Sequence, residues 1–124
     1  MADRMSRINQ RVKREVGEIL QQELRDPRVA FVTITAAEVS RDLQRAKIFY
    51  SVLGDETKMK EAQQALNSAS GLVRKFVGQR IRLRYTPQIE FFLDQSIAYG
   101  MRIEATIERI KSEHQENTRD DSDQ

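Results

Sequence analysis

The hydrophobic positions near the start of the chain recur every three or four residues, at Ile8, Val12, Val16, Ile19, Leu20 and Leu24. This spacing predicts an amphipathic helix over about residues 6–25. Gly17 lowers the helix propensity by about 1 kcal/mol relative to alanine, which favours close packing at that position. Pro27 disfavours the helical conformation for the residue before it, so the helix should end near Asp26.

Two segments with strand-like alternation follow the helix. In VAFVTITAAEVS, Val32 and Ile34 share one face, and an alternation continued to Ala36 would place Val39 on the wrong side, which predicts a bulge near Ala36 and Ala37. RAKIFYSVLG predicts a second strand, whose shared face is formed by Ala46, Ile48, Tyr50 and Val52. The segment SRDLQR between them is short, so the two strands should be antiparallel.

Helical spacing returns from Thr57 to about Arg80, at Met59, Ala62, Leu66, Ala69, Val73, Phe76 and Val77. Gly71, with Ser68 and Ser70 beside it, interrupts this run, and a glycine flanked by serines is a site where helices kink or break. We therefore predict two helices joined near residues 68–71. IRLRYTPQIEFFLD then predicts a third strand over residues 88–93, with Pro87 at its start.

A last helix is predicted by the apolar positions Ile97, Met101, Ile103, Ile107 and Ile110, and Asp94 and Ser96 can cap it. The segment SEHQENTRDDSDQ that ends the chain has no residue able to join a core. We expect a folded domain over residues 1–111 and a flexible acidic tail over residues 112–124. Helices packed against one small sheet give an α+β domain.

Charge is distributed unevenly along the chain. The totals of 21 basic and 19 acidic residues nearly cancel, but residues 1–111 hold 20 basic and 14 acidic residues and carry a charge of +6. The N-terminal basic cluster consists of Arg4, Arg7, Arg11, Lys13 and Arg14. The second basic cluster consists of Arg74, Lys75, Arg80, Arg82 and Arg84. Such clusters are typical of surfaces that bind polyanions, although each is also compatible with an ordinary solvated face.

Several kinds of chemistry are disfavoured by the residue types. The chain has no cysteine, and its single histidine, His114, lies in the polar tail. The acidic candidates for a metal or acid–base site, Asp26, Asp42, Glu90 and Asp94, do not cluster in the sequence. We therefore expect no enzyme activity, cofactor or metal site. No apolar run is long enough for a membrane span and no signal peptide is evident, so we expect a cytoplasmic protein without membrane contact.

The order of elements resembles the type II KH topology, an RNA-binding fold that normally grips nucleotides through a GXXG loop between two helices. Here the corresponding position holds a helix-kink motif, Ala69, Ser70 and Gly71. Together with RINQRVKREVGEILQQEL, RDPRV, FVTITAAEVSRDLQRAKIFYSVLG and RIRLRYTPQIEFFLDQSIAYGMRI, this motif resembles the ribosome-binding factor A family over about residues 5–104.

The resemblance implies a non-enzymatic assembly factor that binds the free, immature 30S subunit and helps to mature its 16S rRNA, often with a role in cold adaptation. We expect a monomer, with an assembly GTPase as a second partner. The expected rRNA-binding residues are Arg7, Arg11, Lys13, Arg14, Arg74, Lys75, Arg80, Arg82 and Arg84. The same clusters leave open a general nucleic-acid-binding module, and the acidic tail leaves open a protein-interaction domain.

Aromatic side chains offer a further mode of RNA binding, because sheet aromatics can stack on bases. The candidates are Phe49, Tyr50, Tyr85, Phe91, Phe92 and Tyr99. Their alternation with polar residues and the burial preference of aromatic rings favour the core for most of them.

Overall fold

The computed structural model describes residues 3–94. The elements in chain order are α1 (Arg4–Gln22), a single 3₁₀ turn (Pro27–Val29), β1 (Val32–Val39), β2 (Arg45–Val52), α2 (Glu56–Arg80) and β3 (Gln88–Leu93). This confirms the predicted α+β class. The helix predicted over residues 97–110 and the acidic tail lie outside the described residues. Within residues 3–94, no helix combines the length and the apolar character needed to cross a bilayer.

Helix α1 begins at a side-chain cap and buries one apolar stripe. The Asp3 carboxylate accepts a hydrogen bond from the Ser6 amide at 2.7 Å, which satisfies one free donor of the first turn. Val12, Val16 and Ile19 are completely buried, as their spacing predicts. The helix ends at Gln22, earlier than predicted, because Asp26 adopts an extended conformation before Pro27 and caps the 3₁₀ turn instead.

The three strands form one sheet in the order β1-β2-β3. β1 and β2 are antiparallel, and their register shifts between Ile34 and Ala36, so the bulge lies one residue before the predicted position. Because of this extra residue, Val39 returns to the buried face that Ile34 occupies. β3 pairs with β2 in parallel, and Ile89 and Phe91 point into the core.

Helix α2 corrects the prediction of two helices, because it continues through residues 68–71 without a break. The Ser70 hydroxyl donates to the Asn67 carbonyl at 3.0 Å and so stays within the helical turn. Leu66 and Val73 are both fully buried on either side of Gly71. Burial of this continuous apolar stripe outweighs the weak helix propensity of the Ser and Gly residues, which is about 1 kcal/mol per residue at most.

The hydrophobic core lies between the sheet and the two helices. α1 packs against β1, α2 packs against β3 and β2, and the two helices contact each other. The predicted buried face of β2 is confirmed, since Ala46, Ile48, Tyr50 and Val52 are all buried. Tyr50 keeps its hydroxyl satisfied by donating to the side-chain oxygen of Gln63. The helices thereby leave their polar sides, which carry most of the basic clusters, exposed to solvent.

Candidate nucleic-acid interface

The N-terminal basic cluster lies on the solvent side of α1. Arg4, Arg7, Arg11 and Arg14 are all exposed, whereas Lys13 is half-buried. An open groove of about 460 Å³ runs along this side and is lined by Ser6, Arg7, Gln10, Arg11 and Arg14. The helical spacing that buries the apolar stripe therefore also aligns four guanidinium groups on the outside of the same helix.

Arg80 joins the end of α2 to α1 through several acceptors. Its guanidinium lies 3.4 Å from a Glu15 carboxylate oxygen and 3.5 Å from one of Glu18, and it donates to Gln22 at 3.2 Å and Glu23 at 3.3 Å. The Arg80 side chain is only 23% exposed. Arg80 thus has its charge matched by carboxylates of its own chain, as do Arg11 and Arg14, which both pair with Glu15.

Glu15 is the buried member of this network. Burial raises its pKa, but hydrogen bonds from Arg11 and Arg80 and the charges of Arg11 and Arg14 outweigh burial and hold the pKa of Glu15 below its ordinary value. Arg11 also donates to the main-chain oxygen of Arg80 at 3.1 Å. The contact between Arg11 and Arg80 therefore brings the two basic clusters, which are far apart in the sequence, next to each other in the fold.

A second open groove, of about 400 Å³, lies between α2 and the entry to β3. It is lined by Gly71, Arg74, Lys75, Gly78, Thr86 and Gln88. Arg74 donates to the main-chain oxygens of Thr86, at 2.9 Å, and Pro87, at 3.2 Å, so it fixes this wall of the groove. A Cβ atom at Gly78 would lie 3.0 Å from the Thr86 hydroxyl, so glycine permits the close approach of the two elements.

The remaining members of the second basic cluster are free for an external partner. Lys75, Arg82 and Arg84 are exposed, and within residues 3–94 no carboxylate forms an ion pair with them. The Arg84 guanidinium lies 5.5 Å from the centre of the Tyr85 ring, and Tyr85 is itself 44% exposed. This arrangement offers both positive charge and a planar stacking surface, which are two features that RNA-binding sites use.

The helix-kink motif lies beside this groove. Ala69 is partly buried and packs against the core, as expected, while Gly71 lines the groove. A Cβ atom at Gly71 would meet no heavy atom within 4 Å among residues 3–94. The motif therefore presents an open stretch of helix backbone in place of a glycine loop, and a nucleotide clamp of the GXXG kind is not formed here.

The aromatic residues divide between the core and the surface. Tyr50 and Phe91 are buried as expected, but Phe92 is 41% exposed, and its ring lies 5.9 Å from that of Phe49 on the sheet face away from the core. Strand alternation explains this correction, because neighbours such as Phe91 and Phe92 must point to opposite faces. Tyr99 lies outside the described residues.

The four acidic candidates have structural partners. Asp26 accepts from the main chain and side chain of Arg28, Asp42 accepts from Ser40, and Glu90 pairs with Arg45 at 2.8 Å. Asp94 accepts from the Thr35 hydroxyl at 2.7 Å. In the part of the chain from residue 3 to 94, no three His, Cys, Asp or Glu side chains gather as a metal site would require.

One groove was not predicted from the sequence. Gly17 faces it, together with Lys13 and Arg14, and the close packing expected at Gly17 is wrong for residues 3–94, since a Cβ atom there would meet nothing within 4 Å. The sequence feature that could have indicated this groove is a glycine inside a helix with basic residues three and four positions before it. That spacing places all three residues on one side of the helix.

This architecture defines a small KH-like α+β domain that carries its charge on an exposed basic surface. The family model of ribosome-binding factor A matches residues 4–107, so the chain belongs to the ribosome-binding factor A family.

Solved structures of related proteins agree with this assignment. The chain resembles the crystal structure of ribosome-binding factor A from Thermus thermophilus, with 26% identity, a TM-score of 0.65 and coverage of 72% of this chain and 94% of that one. A solution structure of a candidate ribosome-binding factor A from Thermotoga maritima has 36% identity and a TM-score of 0.66, and the match covers 74% of this chain and 88% of that one.

A third related structure concerns a complex. It is a homology model of the Thermus thermophilus factor fitted into a cryo-EM map of that factor bound to the 30S subunit. Its identity to this chain is 26%, its TM-score is 0.59, and the match covers 70% of this chain and 91% of that one.

Proposed function

We propose that this protein binds the free, immature 30S subunit by contacts to 16S rRNA and promotes the late maturation of that RNA without catalysing a reaction. Family membership supports the ribosomal partner, as does the 30S complex of the related Thermus thermophilus factor. The observation that carries the RNA contact is the junction of the two basic clusters at Arg11 and Arg80, which brings cations from two distant segments next to each other.

The exposed cations divide into two roles in this proposal. Lys75, Arg82 and Arg84 have no carboxylate partner within residues 3–94, so they bind phosphate oxygens directly. Arg7 and Arg14 extend the same surface along α1, with Lys13 beside them.

Arg11, Arg74 and Arg80 already hold carbonyl or carboxylate oxygens of this protein. These three arginines act mainly by positioning the elements that carry the other cations. Their remaining charge adds to the positive electrostatic potential at the surface. Recognition then depends on the charge and shape of folded RNA, because the helix-kink motif offers no glycine loop to clamp a particular nucleotide.

The setting of this activity follows from the family. We infer that the protein acts as a monomer in the cytoplasm, that an assembly GTPase assists its release, and that its contribution matters most in the cold. The family resemblance over residues 4–107 supports these inferences.

Co-sedimentation with purified ribosomal particles tests the proposal. The double variant Lys75→Glu/Arg82→Glu should bind free small subunits at least about tenfold more weakly, and binding of the wild-type protein should fall steeply as salt rises. Lys58→Glu/Lys60→Glu is the matched control, because it makes the same charge change on exposed residues of α2 that line neither groove and should retain binding. Both variants should melt as the wild type does.

Three outcomes would count against this function. Equal retention on large and small subunits would remove the specificity for the 30S particle. Equal affinity for random duplex DNA would instead indicate a general nucleic-acid-binding module. Equal loss of binding in the test and control variants would show that only net charge matters and that the basic surface is not a site.

A further inference from the structure

Gly17 lies inside α1 at a position where nothing within residues 3–94 requires a glycine. Its position is well away from both helix ends, and an added Cβ atom would meet no heavy atom within 4 Å among residues 3–94. Glycine is one of the poorest residues for a helix interior, so this half-buried glycine reduces helix stability without a close contact that would require it. A ligand that approaches the helix backbone closely is the kind of partner that makes this absence of a side chain useful.

The groove in front of Gly17 is rich in hydrogen-bond donors. It has a volume of about 400 Å³ and lies between α1 and β1, lined by Gln10, Lys13, Arg14, Gly17, Glu18, Gln21, Val32, Thr33 and Ile34. Glu18, the one carboxylate among them, lies 3.5 Å from the Arg80 guanidinium, which offsets part of its charge. The groove therefore offers two cations and several neutral donors to an anionic ligand.

β1 adds main-chain donors to the same groove. β1 is an edge strand of the described sheet. The Phe31 carbonyl accepts from the Leu53 amide, so the alternation of an antiparallel ladder turns the main-chain groups of Val32 and Ile34 away from β2. Beyond the bulge, the amide of Val39 also points away from β2 and donates to Asn9 of α1. No such partner from residues 3–94 reaches the amides of Val32 and Ile34.

This groove is continuous with the groove along the N-terminal basic cluster, because Gln10 and Arg14 line both. From Arg7 to Gly17 the helix advances about 15 Å at 1.5 Å per residue. The combined track is therefore long enough for an extended strand, and its positive residues are distributed along it.

We propose that the groove between α1 and β1 binds the sugar–phosphate backbone of a single-stranded RNA segment, with Gly17 as the point of closest approach. Lys13 and Arg14 bind its phosphates, and Thr33 and the amides of Val32 and Ile34 face its phosphate and ribose oxygens. The inference rests on the proposed rRNA-binding function and adds a second contact, at the edge of the sheet opposite to the groove beside β3. An extended peptide is less suited to this groove, because its backbone carbonyl groups could accept from the β1 amides but its backbone has no charge to pair with Lys13 and Arg14.

Substitution of Gly17 separates this role from a structural one. Gly17→Ala and Gly17→Leu should each raise the melting temperature by a few degrees, since both residues favour a helix interior and the Cβ atom that each adds meets nothing within 4 Å among residues 3–94. Affinity for a labelled oligouridylate and for free small subunits should nevertheless fall, by about threefold for alanine and about tenfold for leucine, as bulk displaces the RNA from one phosphate contact. Gln64→Leu, on the exposed side of α2 and outside every groove described, is the matched control for added apolar bulk and should bind normally.

The outcomes distinguish this inference from the function on which it rests. If Gly17→Leu binds both probes normally while Lys75→Glu/Arg82→Glu loses the small subunit, the groove is not a site but the proposed function stands. If neither variant binds the small subunit more weakly than the wild type, the proposed function fails as well. If Gly17→Leu loses the subunit but retains the oligouridylate, the occupant is a protein segment and the assignment to RNA is overturned.

Discussion

Replacement of Arg80 by alanine tests whether this residue holds the two helices together. Removal of one partner from a fully buried ion pair costs about 3–5 kcal/mol. The Arg80 side chain is 23% exposed, its contacts with α1 are 3.2–3.5 Å long, and Glu15 keeps Arg11 at 3.2 Å after the change. We therefore expect a smaller loss, of about 2 kcal/mol, which lowers the melting temperature of a domain of this size by roughly 10 °C.

Urea and thermal unfolding followed by circular dichroism measure this effect. Arg82→Ala is the matched control, because Arg82 is exposed and forms no ion pair within residues 3–94, and its stability should stay within about 0.5 kcal/mol of the wild type. A double-mutant cycle with Glu15→Gln should give a coupling free energy of about 1 kcal/mol or more between the two side chains. A coupling near zero, or an Arg80→Ala protein as stable as Arg82→Ala, would refute the structural role.

The pH dependence gives a second measurement on the same network. Because the pKa of Glu15 is lower in the folded protein than in the unfolded chain, its contribution to stability is complete above the unfolded pKa. That contribution is lost as the pH falls through the folded pKa. Glu15→Gln should therefore lose less stability than the wild type on acidification from pH 6 toward pH 3, and an identical decline in both proteins would contradict this account.

Two further changes test local features of the fold. Gly54→Ala should destabilise the protein by about 1–2 kcal/mol in urea unfolding, because Gly54 has a φ of 152° and an added Cβ would lie 2.9 Å from the Cβ atom of Lys58, which is fixed to α2. An unchanged unfolding midpoint would show that the loop relaxes. Tyr50→Phe should cost about 1 kcal/mol by removing the hydroxyl that donates to Gln63, which itself donates to the Phe91 carbonyl at 3.1 Å. A Tyr50→Phe protein as stable as the wild type would mean that water replaces this bond.

The sequence was most informative where one periodicity dominates. The predicted stripe of α1 is buried from Val12 to Leu20, the alternation in β2 corresponds to the structure residue by residue, and the mismatch at Val39 was enough to predict the bulge. Local propensity misled at residues 68–71, since serines and a glycine predicted a break while burial of Leu66 and Val73 keeps α2 continuous. The packing of the flanking helical turns against the core determines the conformation of residues 68–71. The local composition does not reveal that packing.

The candidate site was only half visible in the sequence. Charge clustering identified Lys75, Arg82 and Arg84, which are exposed, but it could not separate them from Arg80, whose carboxylate partners lie 57–65 residues away. The sequence predicts close packing at Gly17, because it does not show that this side of α1 lies beside an open groove. Both distinctions depend on how α1 lies against α2 and β1, which is a property of the tertiary structure.

The parallel pairing of β2 with β3 has a consequence for the order of folding. The strands β1 and β2 meet across the five residues 40–44, whereas β3 reaches β2 only after the whole of α2 has been passed. Local contacts of low sequence separation form fast, and long loops are slow to close. The β1–β2 hairpin can thus form while the later part of the chain is still being synthesised, but the groove beside β3 exists only once that last strand has docked. The basic groove beside β3 is therefore assembled later than the hairpin, after the chain has been made at least as far as residue 93.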